Sequence, residues 1–523
     1  MGHGASLADV ADIAPQGAFA VPGMYFDGMS STRDLRVLII GAGFGGIAAA
    51  IELERHGFDD IAILDRADGL GGTWHHNTYP GAACDVPTPF YSYSFAQRLD
   101  WSRLCAPQAE ILNYMRGVAR DFGVDRRIVT DCEVTACSWD EDDCRWHVST
   151  ADGRAFEGDA LIVATGQLHR LAYPRTPGHE QFAGHSFHSA QWDHACDLRG
   201  KRVAVIGTGA SAVQFVPEIA PLAEHLTVFQ RTGNWFMPRK NRAYPGPLHA
   251  LLTRSPAIQA VRRRFWFNYC EALTLMIRHP RTFGRLGKLR SSLMMRRQVR
   301  DPQLRRKIWP DYTYGCKRIL FSSYFLPALT RPNVDLVTEA ITEITPAGVR
   351  TADGHEHEVD VIIYGTGFRT NDFMFPMEIS GRGGRNLREA WDGGAHAHLG
   401  IAVPQFPSLF LMYGPNTNTS GGSIISYLEA QAAYIRQALA LVRVRGAAAL
   451  IVKPEVEAAS DRAVQARFAG TAWTRCDSWY RDEEGRIVAN WPGYMREYME
   501  QTRQLEPADF TLIEMPDREL AEA

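Results

Sequence analysis

Two stretches of this chain carry residues whose types and spacing could grip a pyrophosphate. Leu35–Ile40 (LRVLII) runs into Gly41-x-Gly43-x-x-Gly46, and Val203–Ile206 runs into Gly207-x-Gly209-x-x-Ala212. A glycine turn between a strand and a helix lets backbone N–H groups and the positive helix end approach a phosphate closely. Beyond the two turns the charges differ. In the first, the run IAILDRAD reaches Asp65 nineteen residues after Gly46, an acid placed to accept hydrogen bonds from a ribose diol. In the second, the run LTVFQ ends at Arg231-Thr232, and an arginine there suits a 2′-phosphate. The first site is therefore expected to hold FAD and the second NADPH rather than NADH. Two such cofactors in one chain imply electron transfer from one to the other.

These groups need a framework. The pattern predicts strand, glycine turn, helix ended by Gly57, then strand, for the first unit. Residues 69–95 (GLGGTWHHNTYPGAACDVPTPFYSYSF) have no helical or strand period, and a long aromatic irregular stretch inside a domain is usually functional. A helix is predicted over Ala106–Gly123, with short strands within Arg127–Val148 and Phe156–Val163. The strand exits Ala164-Thr165-Gly166 and Gly365-Thr366-Gly367-Phe368 are near-copies two hundred residues apart, as expected of a chain that leaves one domain and later returns to it. The expected fold class is α/β: two Rossmann-like dinucleotide-binding domains, the second inserted in the first. The division is an N-terminal arm (1–34), an FAD domain (35–168 and 369–523) and an NADP domain (169–368) carrying a helical insertion (246–310). Further on come a strand in PSLFLMYGP, the turn NTNTSGGS, a helix Ile424–Val444 and an aromatic, loop-like C-terminal part.

The totals exclude several classes. At 523 residues two or more domains are expected, and a net charge of −3 gives no general attraction to nucleic acid. Nine cysteines are scattered without a C-x-x-C pair, which argues against a disulfide framework, a zinc or other metal site and a dithiol redox centre, and predicts free thiols in a reducing cytosol. The first 34 residues lack the basic and apolar regions of a secretory signal, and no apolar run is long enough to span a bilayer, so a cytoplasmic location is expected. The insertion is strongly basic, with Arg262-Arg263-Arg264 and Arg296-Arg297 interleaved with apolar patches such as FWFNYCEALTLMI. It reads as a solvated helical face, a cap over the cofactor cleft, or an amphipathic surface for peripheral membrane contact.

Ahead of the second glycine turn stands Phe182-x-Gly184-x-x-x-His188-x-x-x-Trp192-Asp193. This resembles the fingerprint of the flavin-dependent Baeyer–Villiger monooxygenases, class B flavoprotein monooxygenases, and with both glycine turns in order the resemblance spans roughly residues 35–500. It implies that NADPH reduces FAD, that O2 adds at the flavin C4a carbon, and that the resulting peroxyflavin attacks a ketone to give an ester or lactone. That attack needs a fixed cation in a site shielded from water, and arginine cannot lose its proton there. Arg318 in GCKRILFSSY resembles the family's Lys-Arg motif, and Asp85 in PGAACD its carboxylate partner. The resemblance further implies FAD contacts at Gly41, Gly43, Phe44, Gly46, Asp65, Gly72, Thr73, Trp74, Asp85, Tyr91 and Val134. For NADP it implies Gly207, Thr208, Gly209, Ala210, Ser211, Ala212, Arg231, Thr232, Lys317 and Trp479. The residues after Trp479 (RDEEGRIVANWPG) depart from the commoner family pattern. His188 is given a place in the fingerprint without a substrate proton to move, and the resemblance implies that it couples that segment to cofactor binding and domain movement. The alternative is an S- or N-oxygenating enzyme on the same scaffold, which typically lacks the Trp-Asp ending and depends less on Arg318.

Overall fold

Strand β1 (Val37–Ile40) is buried at every position, the pattern of a central parallel strand covered on both faces. It passes through Gly41 into the helix Phe44–Glu54, and β2 (Ile61–Leu64) returns beside it in parallel, Val37 opposite Ile61. After the aromatic loop and the helix Gln108–Asp121, β3 (Ile128–Val129) pairs with β2. The antiparallel strands β4 (Val134–Asp140), β5 (Arg145–Thr150) and β6 (Ala155–Gly158) come next, and β7 (Ala160–Val163) joins the other side of β1. The structure, a computed structural model, describes residues 33–419 and 421–515. The expected N-terminal arm thus falls almost entirely outside the described residues.

The second glycine turn has its own parallel sheet. Strand β8 (His185–His188) lies at an edge, β9 (Arg202–Ile206) leads into Gly207 and the helix Ala212–Ile219, and β10 (His225–Phe229) pairs with β9. A two-residue parallel ribbon joins β11 (Phe236–Met237) to β12 (Leu320–Phe321), with the helices Pro256–Arg278 and Phe283–Gln298 between them in sequence. Strand β13 (Val334–Val337) completes one side. Next are β14 (Ile341–Ile344), β15 (Gly348–Thr351) and β16 (Glu356–Glu358), an antiparallel trio, before β17 (Val361–Tyr364) enters between β9 and β8. The order is β13-β10-β9-β17-β8, all parallel.

The chain then returns to the first layer. Strand β18 (Glu378–Ser380) adds to β4, and β19 (Leu409–Leu411) adds to β7, giving the order β19-β7-β1-β2-β3. The helix Ile424–Arg445 packs on Phe44–Glu54, fastened by an Arg436–Glu52 pair at 2.8 Å. The two crossing segments run side by side: Ala172 N donates to Gly367 O at 2.9 Å, Arg369 N to Arg170 O at 2.9 Å, and Arg170 pairs with Asp372 at 2.5 Å. The exits that looked alike in sequence are physically one double connection.

One expectation is corrected. Cys316 and Cys476 are joined by a disulfide, so the nine cysteines are not all thiols. Spacing could not reveal the pair, because a separation of 160 residues is closed only by the tertiary fold. The remaining seven cysteines are thiols.

Candidate active site

Both glycine turns are built to admit a ligand close to backbone. Gly41 has φ +108°, and a Cβ on it would lie 2.6 Å from Ala164 O. Gly207 repeats this with φ +106° and a Cβ 2.5 Å from Gly365 O. Left-handed φ and contact with the neighbouring strand end exclude a side chain at both positions. A Cβ on Gly46 would run into Gly41 O, so that glycine lets its helix start hard against the turn. By contrast nothing stands within 4 Å of a Cβ on Gly209, which leaves the backbone there open to a phosphate. Asp65, 9% exposed, accepts from Ala42 N at 2.6 Å and Ala67 N at 2.9 Å. It therefore braces the first glycine turn as well as facing the cleft with its remaining lone pairs.

A cavity of about 620 Å³ gathers most of the expected residues onto one surface. From the FAD set, Gly41, Gly43, Phe44, Asp65, Gly72, Thr73, Trp74, Asp85, Tyr91 and Val134 line it; Gly46 supports the turn from behind. From the NADP set, Ala210, Ser211, Lys317 and Trp479 line it, and Gly207, Thr208, Gly209, Ala212, Arg231 and Thr232 do not. Arg231 stands exposed two residues beyond β10. Trp74 Nε1 donates to Tyr91 Oη at 3.1 Å, and Phe44 meets the Tyr91 ring edge-on at 5.5 Å, which fixes the aromatic wall. The glycine cradles, the acid beside the first turn and the aromatic wall fit FAD and a nicotinamide dinucleotide.

At the wall of this cavity Arg318 Nη2 donates to Asp85 Oδ2 at 2.6 Å, across 233 residues of sequence. Arg318 stands two residues before β12, which runs parallel to β11: Leu320 N bonds Trp235 O at 2.9 Å and Ser322 N bonds Met237 O at 3.1 Å. Arg318 lies deep within the molecule, but its side chain faces the cavity and is 48% open to it; Asp85 is 20% open. Burial pushes the Asp85 carboxyl up, yet the Arg318 and then Arg239 guanidiniums outweigh it and hold it below the usual carboxylate range. Asp85 in turn raises Arg318, against the effect of burial. Both partners are ionised.

Arg239 was missed by sequence reasoning. It stands just after β11, lines the cavity, and donates to Cys84 O at 2.7 Å, holding the loop that carries Asp85. No motif marks it in FMPRKN, since its role depends on the ribbon. Gln214 was also missed: from the helix after the second glycine turn it accepts from Ala83 N at 3.2 Å and donates to Ala83 O at 2.9 Å. Tyr413, Asn418 and Tyr480 complete the wall near Arg318.

The fingerprint lies apart from the cavity lining. Phe182 packs in the apolar cluster behind β17, and Gly184 passes against Asp360 O. Trp192 meets Phe187 at 5.2 Å and Phe215 of the second-turn helix at 5.3 Å. Asp193 pairs with His185 at 2.8 Å and accepts from Ala195 N at 2.8 Å. His188, 1% exposed, accepts from Ala190 N at 3.1 Å, with its ring 5.4 Å from Tyr173 and 6.0 Å from Phe368. Those two rings belong to the two crossing segments. Burial lowers the His188 pKa to about 4, against the opposing effect of the Gly367 backbone, so it is neutral near pH 7. Elsewhere, Asp140, Asp143 and His147 cluster on the β4–β5 hairpin, where Asp140 accepts from the turn amides of Asp142 at 2.8 Å and Asp143 at 3.3 Å.

Comparison with known proteins agrees with this geometry. Residues 38–245 match a family model described as pyridine nucleotide-disulphide oxidoreductase. A Baeyer–Villiger monooxygenase of Streptomyces coelicolor is 40% identical over 483 residues, covering 92% of this chain and 93% of that protein. Among solved structures, an oxidized steroid monooxygenase bound to NADP is 30% identical with a TM-score of 0.83, covering 92% of this chain and 99% of that one. The OTEMO complex with FAD and NADP is 26% identical, also with a TM-score of 0.83, covering 91% and 99%. With the paired glycine cradles, the Arg318–Asp85 pair and a relative this similar along almost its whole length, the chain belongs to the FAD- and NADPH-dependent Baeyer–Villiger monooxygenases.

Proposed function

We propose that this enzyme inserts oxygen beside a ketone carbonyl, giving an ester or lactone, and that Arg318 and Asp85 carry the step. The observation behind this reading is the 2.6 Å ion pair at the cavity wall. A bound FAD would supply the redox chemistry, hydride acceptance from NADPH and activation of O2. The chain's own part is electrostatic. Arg318 stays protonated and presents a fixed positive charge where anionic oxygen must survive long enough to attack a carbonyl. Asp85 aims that guanidinium, and Arg239 steadies Asp85 by holding Cys84 O. Lys317, with Arg231 and Thr232, selects the 2′-phosphate, and Trp479 covers the nicotinamide cofactor. FAD belongs to the layer formed by residues 35–168 and 369–523, and NADP to residues 169–368. The domains turn about the double connection on which His188 rests.

The rival reading, oxygenation of sulfur or nitrogen, needs an electrophilic, protonated oxygen and gains little from Arg318. Purified enzyme offered a ketone panel and a thioether, with Arg318→Ala alongside, separates the two. Loss of ketone oxidation in the variant supports the proposal, and undiminished ketone oxidation overturns it.

The insertion suggests where the enzyme works. No helix among the described residues is long and apolar enough to cross a membrane. On the helix Phe283–Gln298, Gly284, Gly287, Ser291 and Met295 face the protein, while Phe283, Leu286, Leu289 and Leu293 form an exposed stripe on the other side. Arg285, Lys288, Arg290, Arg296 and Arg297 are exposed around that stripe. Apolar side chains bordered by cations suit an anionic lipid surface, and a second copy of the same face would be repelled. We place the enzyme in the cytoplasm, touching membrane lipid from that side. Sedimentation with phosphatidylserine vesicles, but not with phosphatidylcholine vesicles, is expected, with loss in Leu286→Asp/Leu289→Asp; no sedimentation with either vesicle refutes the contact.

A further inference from the structure

The Cys316–Cys476 disulfide joins two segments that both run into the cavity. Beyond Cys316 the next residues are Lys317 and Arg318; three and four residues beyond Cys476 come Trp479 and Tyr480. All four line the same space. We propose that this bond is a positioning tie for the NADPH side of the site: it holds the 477–480 loop against the Lys317-Arg318 segment, and a dithiol that opens it weakens NADPH binding and the coupling of NADPH use to oxygenation. The inference rests on the reading that Lys317, Arg318 and Trp479 serve that cofactor.

Besides the tie, the loop is held by Arg481, whose N donates to Ser478 O and whose Nη2 donates to Trp473 O, each at 3.1 Å. Trp473 and Tyr480 anchor its two ends in one apolar cluster, 2% and 6% exposed. Between them Thr474, Arg475, Asp477 and Trp479 are exposed, and Ser478 Oγ is buried without a hydrogen-bond partner among the described residues. The Trp479 ring lies tilted against Tyr480 with centroids 4.2 Å apart, so a shift in the loop moves both rings. On the other side Gly315 and Cys316 are buried, and Arg318 is already clamped by Asp85. The bond therefore links a largely exposed loop to a rigid segment, and its constraint falls on the loop.

Cys316 is fully buried, whereas Cys476 is partly exposed, so attack from solvent meets the Cys476 sulfur. In the reaction a dithiol's thiolate attacks that sulfur and releases Cys316 as a thiol, and the second thiol of the reductant resolves the mixed disulfide. Two electrons and two protons pass to the enzyme, leaving two cysteine thiols and an oxidised, disulfide-form reductant. A disulfide inside a reducing compartment is usually catalytic or redox-responsive, which fits a bond standing at the edge of a cofactor cleft.

The test uses FAD-loaded enzyme purified without reductant, the same enzyme after dithiothreitol and desalting, and Cys316→Ser/Cys476→Ser. Peptide mass spectrometry reports the bond. The reduced enzyme and the double variant are expected to show KM for NADPH raised about three- to tenfold, the scale of ordering one or two side chains on binding. A larger share of the NADPH consumed should appear as hydrogen peroxide, with flavin content unchanged. Reoxidation with glutathione disulfide should restore the wild type and not the variant, which separates positioning from general damage to the fold. Equal KM and equal peroxide yield in the oxidised and reduced enzymes overturn the proposal, as do two free thiols in the unreduced protein. A redox-insensitive KM beside an inactive Arg318→Ala enzyme refutes the tie alone; full ketone oxidation by Arg318→Ala refutes the reading of the site beneath it.

Discussion

Replacing Arg318 by alanine removes the only cation that, among the described residues, forms an ion pair with Asp85 at the cavity wall. Two unit charges about 4 Å apart interact by roughly 4 kcal/mol at an effective dielectric constant of about 20. Removing one donor from a preorganised anion site commonly costs about 2.7–4 kcal/mol. The guanidinium is 48% open to the cavity, so solvent screening places the expected loss toward the lower end. Ketone oxygenation should therefore fall by about 10²-fold in kcat. Hydride transfer from NADPH needs no such cation, so flavin reduction followed by stopped-flow absorbance should change far less, by about tenfold at most. Arg239 also lowers Asp85 electrostatically, but among the described residues it makes no ion pair with it, its Nη1 being held on Cys84 O at 2.7 Å. Asp85 is held below its usual range and Arg318 above its own, so both are charged between about pH 5 and pH 10 and the loss should be flat across that window. Arg318→Lys keeps a charge but not the fork that Asp85 grips, and should fall between wild type and alanine. Product formation and flavin reduction declining together, or neither declining, would refute the division of labour.

Arg231→Ala should raise KM for NADPH about ten- to a hundredfold, the worth of one or two charge-assisted hydrogen bonds, and leave KM for NADH nearly unchanged; an equal change with both cofactors would remove Arg231 from the 2′-phosphate site. Gly46→Ala forces a methyl into Gly41 O, an overpacking of about 1–3 kcal/mol or more, and the purified protein should lose flavin; full flavin content would contradict a tight first turn. Burial holds His188 near pKa 4, below an unfolded value of about 6.5, so the unfolded chain binds more protons between these values. Stability from this residue is complete above about pH 6.5 and is lost as pH falls toward 4, by at most about 3 kcal/mol. Denaturant titrations of wild type and His188→Gln at pH 7 and pH 5 should differ in their pH slopes, and identical slopes would discount the buried neutral ring.

Much of the site was legible because its signals are local. A glycine turn, the strand before it and the helix after it occupy a dozen consecutive residues, so Gly41–Gly46 and Gly207–Ala212 declare their geometry in order. Asp65 and Arg231 are equally readable, since each comes after the strand paired beside its glycine-turn strand. Arg318 and Asp85 were nameable through a family resemblance, but nothing between residues 85 and 318 encodes their 2.6 Å contact. Arg318 stands just before one strand of the β11–β12 ribbon, two residues long in each strand and too short to leave a period. The same ribbon carries Arg239 to the Asp85 loop, which is why no motif predicted it. His188 had a place but no surroundings until Tyr173 and Phe368 arrived from two segments nearly two hundred residues apart. Sequence alone determined which cofactors the chain is made for, because glycine turns and the charges at strand ends are local features of the chain. Only the tertiary structure decided which charges face each other and that Cys316 is bonded to Cys476, because contacts across long loops are set by packing of the whole chain rather than by any neighbouring residues.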